Sequence, residues 1–273
     1  MDVFEEIGKL KRDGRSGALA TIVNVRGSIP SVLAAKMLVR EDGSIAGTIG
    51  GGCVESDVRK GAMDVMREGK SKMFTFNLDQ QPDEENGLVC GGSLQVFVEP
   101  VLPAPRLYVF GAGHVGLAVC KIATLAGFEV DIADDRDVYA NAERFPDAYE
   151  VHAGDMDAIL SKLTPGSGSF IVIATRGHRH DLHVLRWALD TPAHYIGMIG
   201  SARKVLAIFQ QLESEGIARQ RLDRVFAPIG LDIQASTPEE IGVSIVAELI
   251  AIRRRCALPL PHVRNRLREG AAS

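Results

Sequence analysis

Apolar positions change period along the chain, and the changes predict its elements. Val3, Phe4, Ile7 and Leu10 recur at helical spacing, and Gly14 follows as a stop. ALATIVNV (18–25) is an apolar run of strand length, and RGSIP (26–30) reads as a turn or loop. AAKMLVR (34–40), EDG and SIAGTIG (44–50) read as strand, tight turn, strand. Val54, Val58, Ala62, Val65 and Met66 lie near one face of a helix over 54–68. KMFTFNL (72–78) is another strand, DQQPDEEN (79–86) a polar acidic loop, and LVCGGSLQVFVEP (88–100) a strand broken by glycines and then resumed.

PVLPAP (100–105) marks a boundary, because three prolines in six residues suit a stiff linker and no element interior. The pattern beyond it is different. RLYVF, EVDIAD (129–134), FIVIAT (170–175) and YIGMIG (195–200) are short apolar runs separated by helical patterns. Such alternation predicts a parallel sheet with helices on both faces. Thr237, Pro238 and Glu240 open a last helix with a capping box. The expected class is therefore α/β, with a C-terminal Rossmann-like parallel sheet and a smaller N-terminal α+β domain. The expected domains are 1–100, a linker at 101–105, a Rossmann-like domain at 106–255 and a tail at 256–273.

Composition narrows the partners. The 273 residues are 46% hydrophobic and 24% charged, with a net charge of -4. That balance suits a soluble globular chain and gives no general attraction to nucleic acid or an anionic bilayer. No apolar run approaches membrane-spanning length, and the N-terminus has no apolar signal core. Cys53, Cys90, Cys120 and Cys256 are scattered, which suits a reducing compartment. The expected location is the cytoplasm.

Two stretches carry candidate chemistry on the C-terminal side. Gly111, Gly113 and Gly116 form GxGxxG between a strand and a helix, with His114 inside the loop. The first glycine permits the turn, the second a close diphosphate, the third close helix packing. Asp134 or Asp135, at the end of the next strand, is positioned for a ribose diol, favouring NAD over NADP. ATRGHRHDLHVLRWAL (174–189) places Arg176 and His178 at another strand's carboxyl end, where open α/β sheets bind ligands. His178, His180, Asp181 and His183 have spacings that permit a metal, without a recognised zinc pattern. Ser201, Arg203 and Lys204 repeat the theme after YIGMIG, suggesting an anionic ligand along the sheet edge.

The N-terminal side contributes thiols. Gly50, Gly51 and Gly52 run into Cys53, followed by Glu55 and Asp57; Cys90 precedes Gly91 and Gly92. A thiol at a helix start meets the positive end of the helix dipole, and flanking glycines leave approach room. Glu55 is a candidate hydrogen-bond acceptor or proton handler. Packing is the competing role for each cysteine, and the expected one for Cys120.

GTIGGGCVESDV (47–58), CGG (90–92), VFGAGHVG (109–116), TRGHRHD (175–181), YIGMIGSARK (195–204) and PIGLDIQASTPEEIGVSIVAELI (228–250) occur here in order. Through them the chain resembles the XdhC/CoxI family, accessory factors for xanthine dehydrogenase and related molybdenum hydroxylases. The family pattern has glycine where this chain has Gln234. The resemblance implies a non-catalytic chaperone, self-associating as a homodimer, that binds molybdenum cofactor (molybdopterin). It also implies sulfuration of that cofactor with a cysteine desulfurase and delivery to the apo-molybdenum hydroxylase. Cys53 and Cys90 are the cysteines carried over, Cys53 as a contact to molybdenum or as a persulfide relay. The rival expectations are an NAD-dependent oxidoreductase and a non-catalytic interaction protein with a vestigial nucleotide loop.

Overall fold

Alternate side chains of one strand serve two different layers in the N-terminal half. Along β1 (Gly17–Ser28), Ala18, Ala20 and Ile22 meet Val58, Ala62 and Val65 of helix α2 (Gly52–Glu68). Leu19 points the other way, to Leu10 and Ile7 of α1 (Val3–Arg12). Strand periodicity thus forces a helix onto each face. The computed structural model describes residues 2–28, 32–77 and 91–254. The acidic loop, Cys90, Cys256 and the tail lie outside the described residues.

The remaining strands of this half are β2 (Lys36–Arg40), β3 (Ile45–Gly47), β4 (Lys72–Asn77) and β5 (Gly91–Val101). They form one antiparallel sheet in the order β3-β2-β1-β5-β4. Two expectations shift. Arg26, Gly27 and Ser28, expected in a loop, continue β1 by pairing with Ser93, Gly92 and Gly91. Val101, expected in the linker, ends β5 opposite Gly17, and Pro100 pairs with Ala18. Pairing of β5 with β4 ends at Val98, so Pro100 lies where the strand is paired on one side only, a setting that tolerates proline. The chain divides into two units, Met1–Ala104 and Pro105–Ser273.

The second unit is a six-stranded parallel sheet. Its strands are β6 (Arg106–Phe110), β7 (Glu129–Asp134), β8 (Glu150–Ala153), β9 (Phe170–Ile173), β10 (Tyr195–Met198) and β11 (Val225–Phe226). Their order is β11-β10-β9-β6-β7-β8. The four residues of β9 and of β10 are all buried, as a sheet covered on both faces requires. One face packs on α3 (His114–Leu125) and α8 (Pro238–Arg253). The other packs on α4 (Met156–Leu160), α5 (His178–Leu189), α6 (Ala202–Ser214) and α7 (Arg219–Leu222). Strands β8 and β11 escape pattern reading because they are short edge strands. Helix α8 has its capping box, with Thr237 N–H donating to Glu240 at 3.1 Å and Glu240 N–H to Thr237 Oγ1 at 3.2 Å.

Candidate functional site

The strand order reverses between β6 and β9, so the chain leaves their carboxyl ends in opposite directions. That divergence opens the ligand crevice of a parallel sheet. Gly111 makes the turn after β6 with φ of +119°, and a Cβ there would lie 2.2 Å from Ala174 O. A Cβ on Gly116 would lie 1.8 Å from Gly111 O, so the loop and α3 pack backbone to backbone. Gly113 differs: it caps α3, and space around its absent side chain is open. No side chain caps α3 or α5, whose N-cap is Gly177, so both present first-turn N–H groups outward. His114, Arg176 and His178 stand exposed at these two helix starts.

Charged side chains stitch this edge together. Asp134 Oδ2 accepts from Ala112 N–H at 2.8 Å and from Arg136 Nη2 at 3.1 Å. Its Oδ1 accepts from the Arg136 N–H at 3.1 Å and from Nε at 2.9 Å. Burial pushes this carboxyl up, but the Arg136 guanidinium and the two backbone donors outweigh it and hold it below the ordinary range. Asp135 pairs with Arg176 at 2.6 Å across to the β9–α5 loop. Asp181, fully buried in α5, accepts from Thr175 Oγ1 at 2.6 Å and Thr175 N–H at 3.2 Å, and forms an ion pair with Lys204. Lys204 also donates to Ile199 O at 3.4 Å, and Ser201 caps α6 by accepting from Lys204 N–H at 3.3 Å. Gly111, Asp135, Thr175, Arg176 and His180 line a shallow, solvent-open hollow of about 10 Å³, room for about one water.

In the first unit, Gly50, Gly51 and Gly52 have φ of +118°, +81° and +70°. Three successive residues in that region explain three successive glycines, since a Cβ is disfavoured there. Cys53 is exposed in the first turn of α2, with open space beside Gly51 and Gly52. Glu55 anchors the loop from below: its Oε1 accepts from Ile49 N–H at 3.2 Å, Gly51 N–H at 3.3 Å and the Thr48 hydroxyl. Cys120 is buried in α3, and burial pushes its thiol up to about 11, as packing requires.

The histidines of 178–183 do not converge on a metal. His183 pairs with Asp157 at 2.8 Å, and Asp181 is taken by Thr175 and Lys204. Among the described residues the potential metal-ligating group is Asp131, Glu150 and His152, whose ligand atoms lie within 4.8 Å of one another. Arg106 already donates to Asp131 at 2.5 and 2.9 Å, so a cation there competes with a guanidinium. Sequence reading missed this group because strand pairing assembles it. It also missed Arg136, although an arginine two residues after a strand-end aspartate is a visible cue.

A doubly wound parallel sheet with a glycine-turned loop at its switch point, preceded by an α+β unit bearing an exposed helix-start thiol, defines a two-part Rossmann-containing protein. Residues 107–249 match the XdhC Rossmann domain, and residues 10–77 match the XdhC and CoxI family. The chain belongs to the XdhC/CoxI family. It is 36% identical over 254 residues to the uncharacterized protein YqeB of Escherichia coli, covering 93% of this chain and 46% of that one. The chain thus spans under half the length of that relative. It is 26% identical over 269 residues to the molybdenum cofactor insertion chaperone PaoD of E. coli, covering 88% of this chain and 84% of that one. A solved structure described as a xanthine dehydrogenase from Bacillus halodurans shares the fold, at TM-score 0.52 and 24% identity, covering 95% of this chain and 98% of that one. No described helix is long and apolar enough to cross a membrane.

Proposed function

We propose that this protein is a non-catalytic carrier of molybdenum cofactor, supporting its sulfuration and its insertion into a xanthine dehydrogenase-type hydroxylase. The observation that carries the reading is Cys53, an exposed thiol at the head of a helix on a shelf of three positive-φ glycines. Soft thiolate ligands suit molybdenum, and the glycines clear an approach for a bulky cargo. Family membership and the likeness to PaoD support molybdenum cofactor as the cargo. In the second unit, the uncapped N-termini of α3 and α5 and Arg176 are donors that fit a phosphate, the group at one end of molybdopterin. The partners in this reading are a cysteine desulfurase, the apo-hydroxylase and a second copy of the chain, in the cytoplasm.

The test is anaerobic gel filtration of the protein with molybdenum cofactor, reading retained molybdenum and pterin, with NAD in parallel. Stoichiometric retention is the expected result. A Cys53→Ala variant that folds but loses molybdenum supports ligation. One that retains it but loses sulfido transfer supports a persulfide relay. Unchanged retention and transfer remove Cys53 from both roles. The GxGxxG loop favours a second reading, an NAD-dependent oxidoreductase, and NAD retained with hydride transfer and without molybdenum would select it.

A further inference from the structure

Dinucleotide-binding Rossmann edges read the adenosine ribose with an acid at the end of the second strand, whose carboxylate accepts from the diol. Asp134 holds that position. An ionised carboxylate has about four lone-pair sites. Ala112 N–H and Arg136 Nη2 take those of Oδ2, while Arg136 N–H and Nε take those of Oδ1. Arg136 is itself braced, its guanidinium 4.0 Å from the centre of the Tyr139 ring. Asp134 is 3% exposed, so a ribose would have to displace Arg136 to reach it.

We infer that Arg136 is a specificity-determining residue: it fills the ribose-reading carboxylate of Asp134, so this edge recognises the phosphate of its ligand without recognising an attached adenosine. Asp134 thereby becomes a positioning residue. Through Ala112 it fixes the glycine loop that presents Gly113 and the start of α3. The inference deepens the carrier reading and rests on its assignment of the sheet edge as the phosphate site. A terminal phosphate monoester or diphosphate is the chemical class it accepts. Asp135 is the nearest alternative diol acceptor, and Arg176 holds its Oδ2 at 2.6 Å.

The experiment is calorimetric titration of the full chain with inorganic pyrophosphate and, separately, NAD. The expected result is that both bind, with affinities within about threefold of each other. Arg136→Ala frees Asp134, so NAD should gain at least about tenfold over pyrophosphate, the scale of a hydrogen bond to a charged group. Asp135→Asn should leave the ratio unchanged. Wild-type NAD binding tenfold or more tighter than pyrophosphate overturns the inference. So does an unchanged ratio in a folded Arg136→Ala variant, or failure of both ligands to bind. Cofactor retention is scored separately: retained molybdenum cofactor with NAD preferred defeats this inference alone, and equal pyrophosphate and NAD binding without cofactor retention defeats the carrier reading alone.

Discussion

Glu55 reaches back from the first turn of α2 to accept the N–H of Gly51 at 3.3 Å, across the loop that leads to Cys53. The same oxygen takes Ile49 N–H and the Thr48 hydroxyl. A carboxylate thus holds a loop whose three glycines would otherwise sample many conformations. Glu55→Ala should cost about 1–3 kcal/mol in urea unfolding, the range for losing the partner of several donors. It should also change the alkylation rate at Cys53, read by mass spectrometry of that peptide, while buried Cys120 stays unmodified. An unchanged rate and stability would mean that the loop holds itself.

The Lys204–Asp181 ion pair ties the starts of α5 and α6 to the end of β9. Asp181 is fully buried, so removing its cation leaves it with the two Thr175 donors and no opposite charge. Lys204→Met should destabilise by about 3–5 kcal/mol in chemical unfolding. Adding Asp181→Asn removes that charge and keeps acceptors for Thr175, so the double variant should recover a large part of the loss. Additive losses would show that the pair is not coupled.

The sheet of the second unit was legible because β6, β7, β9 and β10 are buried runs, each bounded by turn residues. Gly111, Gly113 and Gly116 were legible because they recur at a set spacing in a strand-to-helix turn; a Cβ would strike backbone at Gly111 and Gly116, while Gly113 borders open space. The commitments of the charges were not. Asp134 reads as a free acid until Arg136 folds back on it, and Lys204 as a free cation until Asp181 meets it from another helix. Asp131, Glu150 and His152 come together through strand pairing, which no local pattern encodes. Glu55 was recognised as an acceptor, but its partners lie upstream in a loop whose shape depends on three positive φ angles.

Gln234 occupies the left-handed region, with φ of +57°. The family glycine at this position therefore has a conformational reason. A side chain there costs about 1–2 kcal/mol, offset in part by the roughly 0.5–1 kcal/mol of unfolded-state entropy that glycine adds. Gln234→Gly should be neutral or stabilising by up to about 1 kcal/mol, whereas Gln234→Val should destabilise, both read by thermal unfolding. A glycine variant clearly less stable than the parent would mean that the glutamine side chain makes a compensating contact.

Asp134 also gives the acid limb of stability a definite sign. Its folded pKa lies below the ordinary value, because Arg136 and two backbone N–H groups outweigh burial. A carboxyl of this kind contributes its full stability above the unfolded value of about 3.9. That contribution is lost as pH falls through the folded pKa, where both states are protonated. Asp131 acts in the opposite sense: burial raises it and Arg106 only partly offsets the rise, so its contribution is greatest at low pH and lost as pH rises through the folded value. The two slopes overlap, and a variant difference separates them. The gap in unfolding free energy between the parent and Asp134→Asn should be widest at neutral pH and narrow as pH drops below about 4. A gap independent of pH would place the role of Asp134 in shape rather than charge, and would weaken the argument that Arg136 holds an ionised carboxylate there.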